Sequence, residues 1–276
     1  MNLNCGGLIM YKLIALDMDG TLLREDKSIS ERTKLAIQKA REKGVTVVLA
    51  TGRPIEGVSR YLEILDMYRD NDYVLSYNGA LVQKTKSKEV VSKVSLKGQD
   101  VHDLYKLSKE NGVNIHAFSE IQGLITPKIS KYTEVEATIN GIDVSEKDFN
   151  SIDKEEVIAK IMMIDEPEIL APATENLPKE IYEKYTVVRS TPYFLEFLNK
   201  DANKGTGLEL LAKHLGIKRE EVIAMGDAGN DLHMIEYAGL GVAMGNSFEE
   251  VKEAADYITA TNEEDGVAKV IEEFVL

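Results

Sequence analysis

Short apolar runs that end in small or polar residues are the main pattern at both ends of the chain. Their length and the turn residues beside them are typical of buried strands. They occupy residues 12–16, 45–50, 73–76, 222–225 and 240–244. Helical patterns lie among them, at about residues 28–43, 204–215 and 230–237. Because strands and helices alternate, the sequence predicts a doubly wound α/β core with a parallel sheet and right-handed crossovers.

Capping residues mark several of the predicted helix ends. Ser28 and Glu31 have the spacing of a capping box, and Gly44 is placed to end the helix that follows them. Pro54 suits the first turn of another helix, and Ser247 is predicted to cap a later one. These positions predict where the loops at the strand ends lie.

The pattern changes between residues 84 and 191. Apolar segments become shorter and more alternating, and helical stretches lie between them. The strand-like segments are 90–94, 115–118, 124–126, 158–164, 187–189 and 194–198, and the helical ones are 101–110, 132–140 and 168–183. The sequence therefore predicts that a core of residues 10–84 and 192–276 is interrupted by an α+β cap of residues 85–191 with a largely antiparallel sheet.

The composition is consistent with a protein of a reducing compartment. The chain has 276 residues and a single cysteine, Cys5, so it cannot form an intramolecular disulfide. No apolar run reaches the roughly 20 residues that span a bilayer, and no export signal opens the chain. A further hypothesis is that residues 1–9 are an upstream extension, because the first strand follows Met10 so closely. We expect a soluble, cytoplasmic protein.

The formal net charge of −14 limits the classes of partner. Nucleic acids and anionic membranes are disfavoured, because their phosphates are bound by clustered Lys and Arg. A small phosphorylated metabolite remains compatible with an acidic protein that supplies positive charge locally, and a divalent cation is a simple source of that charge. Both a monomer and a homodimer fit this composition.

The segment that follows the first predicted strand carries two carboxylates, Asp17 and Asp19. Side chains two residues apart leave a strand on the same side, and hard cations such as Mg²⁺ prefer oxygen ligands. Gly20 permits an unusual turn, and Thr21 offers a hydroxyl and an N–H to a phosphoryl oxygen. The alternative is an ordinary turn, since Asp, Gly and Thr are all common in turns.

A second acidic segment ends another predicted strand. If the two strands are neighbours, Asp227 and Asp231 meet Asp17 and Asp19. Four carboxylates in one place would repel one another without a cation, so the arrangement favours bound metal. The alternative for this segment is helix capping by Asn230.

Three more polar residues are predicted at the same edge of the sheet. Thr51 and Asn78 end two other strands, and open α/β sheets bind ligands at the carboxyl ends of their strands. Thr51 also precedes a helix N-terminus, where free N–H groups favour anions. Lys204 opens a helix, where its charge opposes the helix dipole, so another use for this charge and a solvated surface lysine are equally compatible with its position.

In these motifs the sequence resembles the haloacid dehalogenase superfamily, and specifically its Cof-type phosphatases with a class IIB cap. The resemblance covers nearly the whole chain after residue 10. Its motifs are DMDGTLL from Asp17, ATGR from Ala50, SYNGA from Ser76, Lys204 in NKG, and GDAGNDLHM from Gly226, all in the family's order. The resemblance implies Mg²⁺-dependent hydrolysis of a small organic phosphomonoester, a sugar phosphate or a similar metabolite, through a phosphoaspartate intermediate.

The resemblance also implies roles for individual residues, with Asp17 as the nucleophile and Asp19 as the general acid and base. The residues implied to bind phosphate or substrate are Thr51, Gly52, Asn78 and Lys204. The implied metal ligands are Asp17, Asp19 through its backbone carbonyl, and Asp227, with Asn230 and Asp231 in support. The cap is implied to set substrate specificity.

Four other functions can be compared with that of a phosphatase. A dehalogenase needs no acid at the second Asp position, so Asp19 argues against it, and the lack of membrane spans argues against a P-type pump. A phosphomutase and a non-catalytic phosphate sensor stay open. Arg53 is equally compatible with substrate contact and with bracing its loop, and Arg189 and Tyr193 are further candidates that could face the site from the cap. The four histidines have no metal-ligand spacing, and the sequence does not identify the substrate.

Overall fold

The structure is a computed structural model, and it describes residues 10–276. Cys5 and the hypothesis about residues 1–9 lie outside the described residues. The strands are β1 (Leu13–Leu16), β2 (Thr46–Ala50), β3 (Tyr73–Ser76), β4 (Leu81–Lys84), β5 (Val90–Lys93), β6 (Leu96–Lys97), β7 (Asn114–Ser119), β8 (Gly123–Thr126), β9 (Val144–Glu146), β10 (Val157–Ile164), β11 (Tyr185–Thr191), β12 (Phe194–Asn199), β13 (Val222–Gly226), β14 (Leu240–Ala243) and β15 (Tyr257–Ile258). The α-helices are α1 (Glu31–Glu42), α2 (Ser59–Ile64), α3 (Gly98–Glu110), α4 (Lys131–Asn140), α5 (Pro167–Glu175), α6 (Lys179–Lys184), α7 (Lys204–Leu215), α8 (Leu232–Tyr237), α9 (Glu249–Ala254) and α10 (Gly266–Phe274).

The larger sheet has its strands in the order β15-β14-β13-β1-β2-β3-β4-β5. Neighbouring strands from β15 to β3 are parallel, and β4 runs antiparallel to β3. In the middle of this sheet, Leu16 of β1 pairs with Met225 on one side and with Leu49 on the other. The α/β core with a parallel sheet, predicted from the sequence, is confirmed.

Both sides of the central strands are buried. Leu13 and Val48 pack against Leu211 of α7 and Met234 of α8 on one face. The alternate residues of β1 and β2 are equally buried, and α1 packs against β2 and α10. A parallel strand that is apolar on both sides can present polar groups only where it ends. The first polar residue after β1 is Asp17.

By its internal contacts the chain divides into two compact units. The first unit comprises the described chain up to Thr51, Tyr61–Ser92 and Asn203–Leu276, and the second comprises Gly52–Arg60 and Lys93–Ala202. The second unit contains a sheet in the order β11-β12-β10-β7-β8-β9, with β6 paired to β10. The strand pairs of this sheet are antiparallel except for β8 with β9. Helices α3 and α5 contribute to its apolar core, so the predicted α+β character of this part is confirmed.

The chain passes from one sheet to the other later than the sequence indicates, at both connections. The strand β5 belongs to the larger sheet, although residues 90–94 are predicted within the cap. The strand β12 belongs to the smaller sheet, as its alternating pattern indicates, although it lies beyond residue 191, where the predicted cap ends. A short strand pattern indicates burial on one or both faces but carries no information about which strand it pairs with. The division into core and cap as domains stays a prediction.

The predicted start of the first helix is wrong by two residues. The cap of α1 is Ser30, whose hydroxyl oxygen accepts a hydrogen bond from the N–H of Thr33 at 3.1 Å. Ser28 lies instead in the preceding turn, where its own N–H donates to the carboxylate of Asp26 at 2.9 Å. Because Ser28 and Ser30 lie so close together, the conformation of the preceding turn determines which of them caps the helix.

The predicted helix over residues 168–183 is two helices, α5 and α6. Pro178 directly precedes α6 and has an extended backbone conformation. Proline lacks the N–H that a helix interior needs and disfavours helical geometry in the residue before it. In the part of the chain that the structure describes, no helix is both long and apolar enough to cross a membrane.

Candidate active site

Asp17 lies directly after β1, at the carboxyl edge of the larger sheet. Its N–H donates to the carbonyl of Met225 at 3.0 Å, which continues the pairing of β1 with β13. The turn that follows is closed by bonds from the N–H of Leu22 to the Asp17 carbonyl, at 3.2 Å, and from the N–H of Leu23 to the Met18 carbonyl, at 2.8 Å. Asp17 is 7% exposed. The sheet on one side and the turn on the other fix the backbone of this carboxylate.

Gly20 allows the turn to approach Asp227. Its φ of +88° is in the region that favours glycine, and a Cβ at this position would lie 2.6 Å from Cγ of Asp227. The hydroxyl of Thr21 donates to Oδ1 of Asp227 at 2.9 Å. The two acidic segments predicted from the sequence are therefore in direct contact.

Lys204, the first residue of α7, joins two carboxylates. Its Nζ contacts Oδ1 of Asp17 and lies 2.6 Å from Oδ1 of Asp231. Both Lys204 and Asp231 are 0% exposed. A buried ammonium is stable only with charged or hydrogen-bonding partners around it. The alternative of a solvated surface lysine does not hold.

Asp231 organises the loop that follows β13. Its Oδ2 accepts hydrogen bonds from the N–H groups of Asp227 and Ala228, each at 3.0 Å, while its Oδ1 faces Lys204. The loop packs so closely that a Cβ on Gly226 would lie 2.5 Å from Cγ of Asp231. Asp231 thus holds Asp227 in place through the backbone and Lys204 through charge.

The burial of these groups changes their proton affinities. Burial raises the pKa of Asp17 well above its usual range, and the Asp231 carboxylate raises it further, while Lys204 opposes the change. Burial and Asp231 also raise the pKa of Asp227, against a hydrogen bond from Thr21. Burial alone would lower the pKa of Lys204, but Asp17 and Asp231 outweigh it and raise this pKa. The carboxylates therefore concentrate more negative charge than one ammonium neutralises.

Asp17, Asp227 and Asp231 form an acidic cluster that fits a divalent cation. One oxygen from each carboxylate lies within 4.8 Å of the others, and among residues 10–276 no other group of acidic, His or Cys side chains has this spacing. Oxygen ligands are those that Mg²⁺ prefers. A cation would also offset the excess negative charge that raises the pKa of Asp17 and Asp227. The donor set and its electrostatics are both suited to Mg²⁺.

The side chain of Asp19 lies outside the acidic cluster. It is 45% exposed, and its Oδ1 accepts a hydrogen bond from Nζ of Lys27 at 2.8 Å. Three of the four carboxylates expected to meet therefore do so. The two-residue alternation of a strand ends at Asp17, where the chain enters a turn, so it no longer directs Asp19 to the same side. The roles of Asp19 as general acid and as a metal ligand through its carbonyl stay predictions.

Thr51 and Asn78 lie at the same edge of the sheet. The N–H of Thr51 donates to the Leu75 carbonyl at 2.9 Å, and the Thr51 carbonyl accepts from the N–H of Asn78 at 2.8 Å. Asn78 has a φ of 54°, and its Oδ1 accepts a hydrogen bond from Nδ2 of Asn230 at 3.1 Å. Asn230 therefore connects two strand-end loops.

The loop that carries Asn78 also packs against the start of α7. A Cβ on Gly207 would lie 2.7 Å from Cα of Gly79, and one on Gly79 would lie 2.9 Å from the carbonyl carbon of Asn203. Asn203 caps α7 by accepting the N–H of Thr206 at 2.8 Å. This contact sets the position from which Lys204 reaches the acidic cluster. The sequence analysis did not identify either glycine. Their positions close to Asn78 and Lys204, two predicted phosphate-binding residues, could have indicated that close packing is needed there.

Several other candidates belong to the second unit. Gly52, a predicted phosphate-binding residue, and Arg53 directly follow the first segment of the first unit. Arg189 donates to a backbone carbonyl within its own turn at 2.6 Å, and Tyr193 stacks on Tyr132 with ring centroids 4.7 Å apart. Both contacts are internal to the second unit. Among the described residues, no histidine belongs to the acidic cluster.

Two residues after β14 also reach the site, and sequence reasoning missed them as site residues. Ser247 does not cap α9 as predicted, since its hydroxyl donates to the carbonyl of Gly226 at 3.2 Å. Asn246 donates from Nδ2 to the carbonyl of Gly20 at 2.8 Å. The rule that ligands collect at strand carboxyl ends, applied to β14 as it was to β1, would have indicated both.

Comparison with known proteins places this site in a family context. The profile of a family described as haloacid dehalogenase-like hydrolase matches residues 14–271. YxeH of Bacillus subtilis (strain 168) is 47% identical over 269 residues, which are 97% of this chain and 99% of YxeH. A haloacid dehalogenase-like hydrolase from Bacteroides thetaiotaomicron has a structure with a TM-score of 0.82 at 40% identity, covering 95% of this chain and 98% of that one. The HAD subclass IIB sugar phosphatase BT4131 matches with a TM-score of 0.76 at 27% identity, over 95% of this chain and 98% of its own.

Proposed function

The chain belongs to the haloacid dehalogenase-like hydrolases and is a phosphatase, and we propose that it hydrolyses a small organic phosphomonoester with Mg²⁺ through a phosphoaspartate on Asp17. One observation carries this proposal. The buried ammonium of Lys204 contacts Asp17 and Asp231 at the edge of the sheet where Asp227 also lies. A carboxylate held beside a buried cation, with oxygen ligands for a second cation, is what nucleophilic attack on a phosphate dianion requires.

Mg²⁺ would be held by Asp17 and Asp227 and by the backbone carbonyl of Asp19, with Asn230 and Asp231 supporting the loop that presents Asp227. When bound, the ion supplies positive charge that lowers the repulsion between the phosphate and the carboxylates. The spacing of the acidic cluster supports two of these ligands. The role of the Asp19 carbonyl as a third ligand is proposed from the family resemblance.

The first half-reaction transfers the phosphoryl group to the enzyme. A carboxylate oxygen of Asp17 forms a bond to phosphorus while the bond from phosphorus to the ester oxygen breaks. Asp19 gives its proton to the leaving oxygen, which departs as an alcohol. Lys204, Thr51, Gly52 and Asn78 hold the phosphoryl oxygens or the substrate, so the acceleration comes from positioning and electrostatics.

The second half-reaction returns the enzyme to its starting state. Water attacks the phosphorus atom, and the carboxylate of Asp19 accepts the proton that the water loses. The bond from phosphorus to Asp17 breaks, which releases inorganic phosphate and restores the carboxylate. Asp19 thus ends the cycle protonated, as it began it.

The substrate is proposed as a small phosphorylated metabolite, of which a sugar phosphate is the first candidate. The structural similarity to a subclass IIB sugar phosphatase supports this class. Specificity is assigned to the second unit, because the phosphate-transferring residues other than Gly52 lie in the first. A cytoplasmic location and a monomeric or homodimeric state remain predictions.

Incubation of the purified protein with Mg²⁺ and p-nitrophenyl phosphate tests the proposal. We expect release of inorganic phosphate, and acid-quenched enzyme should carry covalent phosphate. Asp17→Asn should abolish both, whereas Asp19→Asn should retain more Mg²⁺ affinity than turnover. A sensor would release no phosphate, and a phosphomutase would form phosphoenzyme but release little of it; either result overturns the proposal. A panel of metabolite phosphates then ranks the substrates.

A further inference from the structure

Thr21 lies in the turn after Asp17, and its hydroxyl and its N–H both donate to partners within the protein. The hydroxyl donates to Oδ1 of Asp227 at 2.9 Å, and the N–H donates to the Met18 carbonyl at 3.3 Å. Thr21 is 1% exposed. The sequence makes both groups candidates for binding a phosphoryl oxygen, whereas the structure directs both of them to the chain itself.

The hydroxyl of Thr21 has a single proton. A threonine hydroxyl can donate one hydrogen bond, while its lone pairs can only accept. The oxygens of a phosphate dianion are acceptors, so a hydroxyl that already donates to Asp227 has no second proton for them. A hydrogen bond to a carboxylate is assisted by its charge and is stronger than one between neutral groups. The carboxylate is therefore the partner that this geometry favours.

The backbone of Asp227 is held by other groups. Its N–H donates to Asp231 at 3.0 Å, and its carbonyl accepts the N–H of Phe248 at 3.2 Å. The preceding carbonyl, that of Gly226, accepts the N–H of Met244 at 3.1 Å. These bonds fix the peptide groups on both sides of Asp227, but the side chain has two torsions of its own. The direction of the carboxylate must therefore be set by contacts of the carboxylate itself.

Thr21 is held firmly enough to set that direction. The peptide that joins Gly20 to Thr21 is fixed on both sides, since its carbonyl accepts Nδ2 of Asn246 at 2.8 Å and its N–H donates to Met18. Gly20 adds a packing contact, because a Cβ there would lie 2.6 Å from Cγ of Asp227. The carboxylate thus packs against a fixed turn and accepts a hydrogen bond from a buried hydroxyl of that turn.

We propose that Thr21 is a positioning residue for the metal ligand Asp227 and not a phosphate-binding residue. Its hydroxyl holds one oxygen of the carboxylate and so limits the rotation of the group that would hold Mg²⁺. This inference rests on the proposed function, in which Asp227 binds the metal. Loss of a hydrogen bond to a metal ligand typically weakens metal binding by about 10–100-fold.

The two possible roles of Thr21 differ in what the loss of its hydroxyl changes. Loss of a positioning contact weakens the binding of Mg²⁺ in the absence of substrate, and saturating Mg²⁺ compensates for it. Loss of a phosphate contact leaves the affinity for Mg²⁺ unchanged and weakens phosphate binding even at saturating Mg²⁺. The Kd for Mg²⁺ alone and the Kd for inorganic phosphate at saturating Mg²⁺ therefore separate the two roles.

Thr21→Val keeps the approximate size and shape of the side chain and removes the hydroxyl, whereas Thr21→Ser keeps a hydroxyl. Thr259→Val is a matched control. Thr259 is also buried, belongs to the same unit and donates its hydroxyl at 2.9 Å, but to the carbonyl of Gly266. Isothermal titration calorimetry gives both dissociation constants without any turnover. Phosphate release from p-nitrophenyl phosphate is measured separately.

We expect Thr21→Val to raise the Kd for Mg²⁺ about tenfold, at the lower end of the range for such contacts. Thr21→Ser should recover most of the wild-type affinity, and Thr259→Val should leave it unchanged. At saturating Mg²⁺ the Kd for inorganic phosphate should be the same in the wild type and in all three variants.

Three results would overturn the inference. They are an unchanged Kd for Mg²⁺ in Thr21→Val, an equal rise of this Kd in Thr259→Val, and weaker phosphate binding with unchanged affinity for Mg²⁺. If Thr21→Val does not fold, Thr21→Ala decides, because it removes the hydroxyl without putting a methyl group in its place.

Failure of the proposed function gives a different result. A wild-type protein that binds Mg²⁺ but releases no phosphate contradicts the proposed hydrolysis, while the comparison of Mg²⁺ affinities still tests the role of Thr21. A wild-type protein that does not bind Mg²⁺ overturns both the proposed metal site and this inference.

Discussion

The ammonium of Lys204 lies 2.6 Å from Oδ1 of Asp231, and both side chains are completely buried. The same ammonium contacts Asp17, so one cation pairs with the proposed nucleophile and with the residue that orders the loop carrying Asp227. If Asp17 is the nucleophile, stability and catalysis depend on the same charge.

Lys204→Met should cost both stability and activity. Removing one member of a buried ion pair leaves uncompensated charge and typically costs about 3–5 kcal/mol. Loss of a preorganised cation at the phosphate should lower kcat by about 10²–10³. Lys213→Met on the same helix is the control, since Lys213 and its partner Glu209 have side chains 67% and 43% exposed. Denaturant unfolding and phosphate release check both effects, and similar losses in the two variants would contradict the assignment.

Mg²⁺ should stabilise the folded protein through Asp227. A ligand that binds only the folded state adds about 2.7 kcal/mol at a hundred times its Kd. Thermal unfolding with Mg²⁺ and with EDTA should show a higher Tm with Mg²⁺ in the wild type, and this difference should shrink in Asp227→Asn. The exposed Asp143 supplies the control, Asp143→Asn. The proposed metal role would be ruled out if the Tm of the wild type were the same with Mg²⁺ and with EDTA, or if turnover were complete in EDTA.

Gly20→Ala should weaken Mg²⁺ binding in addition to its cost in backbone conformation. Gly44 has nearly the same φ, +85° against +88°, but a Cβ there meets nothing within 4 Å, whereas at Gly20 it would overlap the Asp227 carboxylate. Both substitutions should cost roughly 1–2 kcal/mol for the left-handed conformation. Only Gly20→Ala should weaken Mg²⁺ binding, as followed by titration of the Tm. Equal Mg²⁺ affinity in the two variants would show that the close approach to Asp227 is unimportant.

His116 should make the protein less stable as the pH falls. Burial first, and then the charge of Lys160, lower the pKa of His116 to about 3, and its Nδ1 has no hydrogen-bond partner. In the unfolded chain a histidine titrates near 6.5, so below that pH the unfolded state binds a proton that the folded state does not. The wild type should therefore lose up to about 1.4 kcal/mol per pH unit relative to His116→Phe between about pH 6 and pH 4.

Parallel stability curves for the wild type and His116→Phe over this range would contradict that prediction. The destabilisation by His116 is nearly absent above about pH 7.5, where the imidazole is neutral in both the folded and the unfolded state. Denaturant unfolding monitored in the second unit, to which His116 belongs, is the appropriate measurement.

The sequence by itself determined the kind of fold and the segments that carry the chemistry. Runs such as residues 12–16 are apolar on both faces, which only a doubly covered parallel sheet satisfies, so their polar groups must follow the strand ends. That rule indicated Asp17, Thr51, Asn78 and Asp227 without knowledge of the strand order. These are local properties, which depend on residues close together in the chain.

Tertiary structure alone decided which of these groups meet. Thr21 and Asp227 bond across 206 positions of sequence because β1 pairs with β13, and no local pattern specifies that neighbour. The burial of Lys204 depends on the packing of Gly207 against Gly79, and the separation of Asp19 from the acidic cluster depends on the turn that follows β1. Partner choice and side-chain direction result from contacts between distant segments, whose free energies a local sequence pattern does not contain.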